Sequence, residues 1–135
     1  MSMKRSRGVV ALISLLVISA VLLAMGIAIA RVGRNEVVLA RIFADGEIAF
    51  NVADACVEEG LSRLKDSSLY TGGTFALDDG TCSVAVTNLG GNDRLIRGTG
   101  SYQRATRIVE ANVTLSTNGQ GNVVKAAINT WKEGD

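Results

Sequence analysis

The hydrophobic pattern of the chain begins with a long uncharged run near the N-terminus. Residues 9–30 contain no charged side chain, and three cations, Lys4, Arg5 and Arg7, precede them. At a rise of about 1.5 Å per residue this run makes a helix of about 33 Å, which matches the roughly 30 Å core of a bilayer. The sequence therefore predicts a transmembrane helix. The preceding cations favour a cytoplasmic N-terminus and an exported C-terminal part.

Two other interpretations of the same run stay open. Ala28-Ile29-Ala30 has the small-x-small pattern of a secretory cleavage site, which would make Arg31 the first residue of a secreted protein. The run is, however, longer than the roughly 7–15 apolar residues of a usual signal peptide. A buried helix of a soluble domain is the second interpretation, although the rest of the chain is too small to cover such a helix.

The helical pattern continues beyond Arg31 in amphipathic form. Small and apolar residues recur at intervals of three and four, as along one stripe of a helix. The members of this stripe are Leu39, Phe43, Gly46, Phe50, Ala53, Val57, Leu61 and Leu64. The sequence predicts an amphipathic helix over residues 31–65 that continues the apolar one. Gly26, Gly33 and Gly46 are its weakest points, because glycine lowers helix stability.

The period of the pattern changes to two after the turn-rich segment Ser67–Gly73. Alternating apolar and polar residues then predict short strands. These strands lie at residues 74–77, 81–87, 94–102 and 105–115. Gly98 and Gly100 weaken the third of them. Sequential strands joined by short turns form an antiparallel meander, and its apolar face needs the helix as a cover. The predicted fold is α+β, with a long N-terminal helix packed on a small antiparallel sheet of three or four strands.

The C-terminal residues continue the chain as a tail. Asn118–Gly121 has the composition of a linker, and Val123–Trp131 is apolar enough for a terminal strand or a helix, between which the pattern does not decide. The predicted organisation is a basic leader at 1–8, a membrane helix at 9–30, an amphipathic helix at 31–65, a sheet at 66–117 and a tail at 118–135.

The two cysteines are predicted to pair. Cys56 lies on the apolar side of the helix, and Cys82 lies on the inward face of the following strand, so both point into the helix–sheet interface. Disulfides are common in exported proteins, and closure of a loop of this length stabilises a fold by roughly 3–4 kcal/mol. Two buried free thiols are the alternative.

The composition limits the chemistry that the chain can perform. None of its 135 residues is His, which removes His-based general base catalysis and His metal sites. Two cysteines alone do not form a structural zinc site. The formal net charge of +1 gives no general reason to expect a nucleic-acid partner. Because the many Ser and Thr residues have no activating His, we expect no enzyme, no cofactor and no metal.

Acidic side chains are weak candidates for an ion site. They are Asp54, Glu58 and Glu59 on the helix and Asp78, Asp79 and Asp93 in predicted turns. The helical group lacks metal-binding partners and fits a solvated or inter-subunit face better. The turn group could supply oxygen ligands to calcium, but it lacks a regular loop spacing, so turn formation is the better explanation.

Basic side chains form the other candidate surface. Arg94, Arg97, Arg104 and Arg107 flank Tyr102, an arrangement that could bind single-stranded nucleic acid. Four charges and one aromatic ring are a small set for such a site. The tripeptide at 112–114 matches a glycosylation acceptor, but it lies within a predicted strand.

The order of these segments resembles the type IV pilins and the pseudopilins of type II secretion. The similarity rests on the basic leader ending in Gly8, the uncharged helix from Val9, its amphipathic continuation and the small sheet, and it covers nearly the whole chain. It implies that prepilin peptidase cuts between Gly8 and Val9 and methylates the new amine of Val9. It also implies a helical filament with the apolar half-helices at its core.

Two positions depart from that family's usual pattern. Val9 stands where Phe or Met is usual, and Ile13 stands where the family usually has Glu. In the family that Glu is assigned to pairing with the terminal amine of a neighbouring subunit. A sequence without it resembles the minor pilins and tip pseudopilins, some of which lack the Glu. Residues 53–61 are also similar to a small-acidic-small segment near the helix end of minor pilins.

The resemblance implies partners and a location. The partners are other pilin or pseudopilin subunits through the N-terminal helix, prepilin peptidase, the inner-membrane assembly platform and, before assembly, the lipid bilayer. The location is the inner membrane, with a single span and the head outside the cytoplasm, and then a pilus or pseudopilus. A single-pass anchored binding module that never assembles is the alternative function.

Overall fold

The structure is a computed structural model that describes the backbone of residues 3–77 and 80–134, and the side chains from Gly8 onward within those ranges. It consists of one long helix followed by five strands. These elements are α1 (Met3–Asp66), β1 (Gly72–Leu77), β2 (Gly80–Gly90), β3 (Asp93–Tyr102), β4 (Ala105–Thr117) and β5 (Val123–Glu133).

The strands form one antiparallel sheet in the order β1-β2-β3-β4-β5. The α+β fold predicted from the sequence is confirmed, but the sheet has five strands where three or four were expected. The additional strand is β5, which pairs with Val109–Thr117 of β4 and forms one edge of the sheet. Its alternation is weak because most of its side chains are exposed.

Contacts within the chain divide it into two units, Met1–Arg41 and Ile42–Asp135. In the first unit every described side chain is exposed to solvent. The two hydroxyl groups within the apolar run donate hydrogen bonds to the helix itself, from Ser14 Oγ to the Val10 carbonyl (2.9 Å) and from Ser19 Oγ to the Leu15 carbonyl (2.8 Å). These bonds matter because a bilayer core offers no water to satisfy a hydroxyl.

In the second unit the C-terminal part of α1 packs on the sheet and forms the core. The buried apolar residues come from the helix and from β2, β3 and β4. The helix contributes Ala49, Val52, Ala53, Cys56, Val57, Leu61 and Leu64, and the strands contribute Cys82, Val84, Ile96, Val109, Ala111, Val113 and Leu115. The predicted stripe therefore covers the sheet only from Gly46 onward, since Leu39 and Phe43 are 54% and 71% exposed.

Glycines bring the helix and the sheet close together. A Cβ atom on Gly100 would collide with the backbone of Ala49 and Ala53, and one on Gly98 would lie 2.6 Å from the Ala53 carbonyl oxygen. On the helix, a Cβ on Gly60 would lie 2.9 Å from a methyl group of Val84. The expectation that Gly98 and Gly100 only weaken their strand was therefore incomplete, because both create the space in which the helix lies.

Candidate functional site

The predicted processing site lies near the start of α1. The helix begins at Met3 and runs through Gly8 and Val9 without a break, and Val9 is 55% exposed. No described atom lies within 4 Å of the position that a Cβ on Gly8 would occupy, outside the helix backbone itself. The peptide bond between Gly8 and Val9 is thus uncovered by the described chain. Residues 1 and 2 of the predicted leader, and the side chains of its cations, lie outside the described residues.

The apolar run after Gly8 has the properties of a membrane span. Among the described residues, one helix is long and apolar enough to cross a bilayer, and none of its apolar window is buried within the chain. Ile13, at the position where the resemblance places Glu, is 54% exposed like its apolar neighbours. Nothing charged or buried distinguishes this position from the rest of the described run.

A disulfide joins the helix to the sheet, as the sequence predicts. Cys56 on α1 and Cys82 on β2 are bonded, with their Cα atoms 5.7 Å apart. Both residues are fully buried. Cys82 pairs in register with Phe75 on β1 and with Gly100 on β3, so the covalent link anchors the strands nearest the first edge of the sheet.

The four candidate arginines do not form one patch. Arg97 and Arg107 lie on opposite faces of the sheet. Residues an even number of places from Arg107 along β4 face the helix, so Arg107 lies on the helix-facing side. Arg97 pairs with Glu110, which lies on the other face. Arg94 donates one hydrogen bond to the side chain of Asn88 in the β2–β3 hairpin, and Arg104 is exposed in the β3–β4 turn. The structure therefore gives no contiguous basic surface around these four residues.

Two of these arginines belong to ion pairs. Arg97 lies 2.7 Å from Glu110, and Lys132 of β5 lies 3.6 Å from the other oxygen of the same carboxylate. The hydrogen bond from Arg97 lowers the pKa of Glu110, against a smaller opposing effect of desolvation. On the helix-facing side, Arg107 lies 3.3 Å from Glu133. Its guanidinium covers Gly46, where a side chain would crowd it.

Two of the three helical acids, Glu58 and Glu59, line a groove at the β1 edge of the sheet. Glu59 accepts a hydrogen bond of 2.8 Å from Arg63, which raises the pKa of Arg63. The guanidinium of Arg63 in turn lies over the ring of Phe75, 5.2 Å from its centre. This groove, of about 550 Å³, is lined by Ala55, Glu58, Glu59, Arg63, Phe75 and Leu77. We call it the acidic groove.

The sequence did not indicate the acidic groove. Phe75 and Leu77 lie on a strand of only six residues, and their position beside Glu58 and Glu59 depends on the register of β1 against β2. The spacing of four residues between Glu59 and Arg63 was the available signal, because it predicts a helical ion pair.

The other candidate ligands have structural roles where they are described. Asp93 accepts a hydrogen bond of 2.6 Å from Thr114 across the β3–β4 pair, and Asn112 lies within β4, half buried. Asp78 and Asp79, the other acids proposed for calcium, lie outside the described residues. Within residues 3–77 and 80–134, no group of three or more potential ligands is placed to hold a metal ion.

Comparison with known proteins adds no neighbour. No family model, no curated protein and no solved structure matches this chain.

Proposed function

We propose that this protein is a structural subunit of a type IV pilus-like or type II secretion filament, of the minor pilin or pseudopilin kind. The observation that carries the proposal is the apolar, exposed first part of α1 on the same helix whose second part packs on a disulfide-linked sheet. The proposal assigns the chain neither catalysis nor a cofactor.

The exposed apolar run requires a partner outside the chain. Its large side chains between Val9 and Ile29 are 47–73% exposed, and so much contiguous apolar surface is not stable in water. A bilayer can cover it while the subunit waits in the inner membrane with its head outside the cytoplasm. Parallel helices of neighbouring subunits can cover it after assembly, so that both states need the same uncharged surface.

Processing at the leader fits the charge of the chain. Removal of residues 1–8 takes away three cations and leaves eleven against thirteen acids, so that the formal net charge changes from +1 to −2. The amino end of the mature helix then carries no cationic side chain before Arg31. Extraction of that end from the membrane becomes easier, because charged side chains are costly within a bilayer. In this proposal prepilin peptidase makes the cut and an inner-membrane platform carries out the assembly.

Ile13 favours a minor subunit over a major one. With Ile13 in place of Glu, the described apolar run offers no carboxylate to the amine of a neighbouring subunit. A subunit present in few copies has less need of that pairing than one that repeats along a whole filament.

The test is the identity and mass of the N-terminal residue of protein purified from its native host. We expect Val9, heavier by one methyl group, and recovery of the protein in sheared surface filaments or in an overproduced pseudopilus. Met1 would contradict the proposal and favour the anchored binding module that does not assemble. Arg31 would show that the apolar run is a secretory signal.

A glycine variant provides the matched control. Gly8→Val places a branched side chain at the proposed cleavage site and should leave the leader attached. Gly33→Val changes a glycine that is equally free of neighbouring atoms, and it should be processed normally. Equal processing of both variants would remove the proposed role of Gly8.

A further inference from the structure

The helix before the head and the head itself carry opposite charge. Residues 9–41 contain three arginines and one glutamate, whereas residues 42–135 contain eight cations and twelve acids, a net charge of −4. Opposite charges on two surfaces favour contact between copies of a chain, because complementary potentials guide association and fix its register.

The cations of the helix share one face. Arg31, Arg34, Val38 and Arg41 follow a spacing of three, four and three residues, which places them along one side of α1. Glu36 lies on the opposite side at 100° per residue. All four members of this basic face are exposed, and among the described side chains no carboxylate lies within ion-pair distance of them. The basic face thus presents an apolar side chain between arginines.

The acidic groove has the complementary arrangement. Phe75 is half buried and Leu77 is 36% exposed, so that together they offer an apolar wall. Arg63 forms an ion pair with Glu59. Glu58 is exposed at the rim of the groove, and Asp54 lies one helical turn before Glu58. At about 550 Å³ the groove has room for a valine side chain and part of an arginine.

We propose that the basic face of one copy docks in the acidic groove of a neighbouring copy. Val38 contacts the apolar wall, and Arg34 and Arg41, one turn to either side of it, pair with Asp54 and Glu58 of the neighbour, respectively. The contact is heterologous, because it joins two different surfaces, and each copy offers both. A heterologous contact that does not close into a ring passes from each copy to the next, so it can join a short run of a few copies.

This inference rests on the proposed function, since it assigns a contact between assembled subunits, and it implies consecutive copies of this chain in each assembly. Detergent micelles cover the apolar run of both copies and permit a direct test of the contact.

The test is cross-linking between two differently tagged full-length chains in detergent micelles. One carries Val38→Cys and the other Leu77→Cys, and a short bis-maleimide reacts with these free thiols but not with the disulfide of Cys56 and Cys82. We expect a cross-linked heterodimer. The matched control replaces Leu77→Cys by Ser116→Cys, an exposed position near the end of β4, and should give only background cross-linking.

Charge reversal tests the proposed pairs. Arg34→Glu with Arg41→Glu in the first chain should lower the cross-linked yield about tenfold, because like charges then face each other. Asp54→Lys with Glu58→Lys in the second chain should restore it. Background yield for the Val38–Leu77 pair, or a yield that charge reversal leaves unchanged, would overturn the inference.

These outcomes are separate from those of the proposed function. Purified protein that begins at Val9, combined with no cross-link, would overturn this contact and leave the filament subunit standing. Protein that retains Met1, combined with a charge-dependent cross-link, would leave the contact standing between anchored copies and overturn the filament.

Discussion

Two parts of one helix present apolar side chains to opposite surroundings. Between Val9 and Ile29 the large apolar side chains are 47–73% exposed, whereas Ala53, Val57 and Leu64 are completely buried. The two parts differ in what covers their apolar side chains. The sheet covers the second part from within the chain, whereas every described side chain of the first part is exposed. The first part therefore exposes an apolar surface that is long enough to cross a bilayer.

The same substitution in both parts should separate these roles most strongly. Leu64→Ala removes a fully buried side chain and should lower the free energy of unfolding of the head by about 2–5 kcal/mol. Leu22→Ala removes a side chain that is 63% exposed and should leave that free energy unchanged. Urea unfolding of the full chain in detergent micelles, followed through the fluorescence of Trp131, measures both.

The complementary measurement is retention in the membrane. Leu22→Arg should weaken insertion by about 2.5–3.5 kcal/mol, the cost of an arginine at the centre of a membrane helix. A Leu22→Arg chain that stays in the membrane fraction as well as the original would contradict the assignment of residues 9–30 to a span.

The disulfide should stabilise the head and leave the apolar run unaffected. Replacing both Cys56 and Cys82 by Ser opens a loop of 26 residues and should lower the free energy of unfolding by about 3–4 kcal/mol. Membrane retention should not change. The same comparison can be made by reduction, and unfolding curves that coincide with and without reductant would show that the link adds nothing to stability.

The close approach of the helix to the sheet should tolerate no added methyl group. Gly100→Ala places a Cβ against the backbone of Ala49 and Ala53 and should cost about 1–3 kcal/mol, the usual range for overpacking. Gly119→Ala is the matched control, because no atom lies within 4 Å of the added methyl group and its backbone does not require glycine. Equal midpoints for the two variants in urea would contradict the packing described for β3.

The strongest periodicities were the ones that predicted the fold. Three features could be predicted from single segments of the sequence. They are the uncharged run at 9–30, the change from a period near 3.6 to a period of two after Asp66, and the inward positions of Cys56 and Cys82. Each depends on local spacing alone. The exposure of Leu39 and Phe43 could not be predicted from the sequence, because a helical stripe does not show at which residue the covering sheet begins.

The remaining features depend on register across the sheet. The acidic groove needs Phe75 to stand beside Arg63, and the close approach needs Gly100 to face Ala53. β5 was left undecided because an edge strand with exposed side chains has little alternation to detect. The candidate arginines were close in sequence, yet alternation along the strands sends them to different faces.

The smallest effect is expected from pH, which should act on the head but not on the uncharged run at 9–30. Residues 9–30 carry no titratable side chain, so the affinity of that run for lipid should not depend on pH. In the head, the hydrogen bond from Arg97 lowers the pKa of Glu110. The stabilisation is therefore complete above the ordinary glutamate pKa of about 4.3 and is lost as pH falls below it, because the unfolded chain then takes up the proton first.

Glu110→Gln removes this contribution and gives the comparison that isolates it. Between about pH 5 and pH 3 the free energy of unfolding of the original chain should fall more steeply than that of the variant, while other carboxylates act equally on both. At pH 7 the variant should be less stable by about 0.2–1 kcal/mol, the usual range for surface ion pairs. Urea titrations of both chains at several pH values measure the difference, which should shrink as the pH falls. A difference that stays constant across this range would mean that Glu110 acts through packing and that its pairing with Arg97 adds no stability.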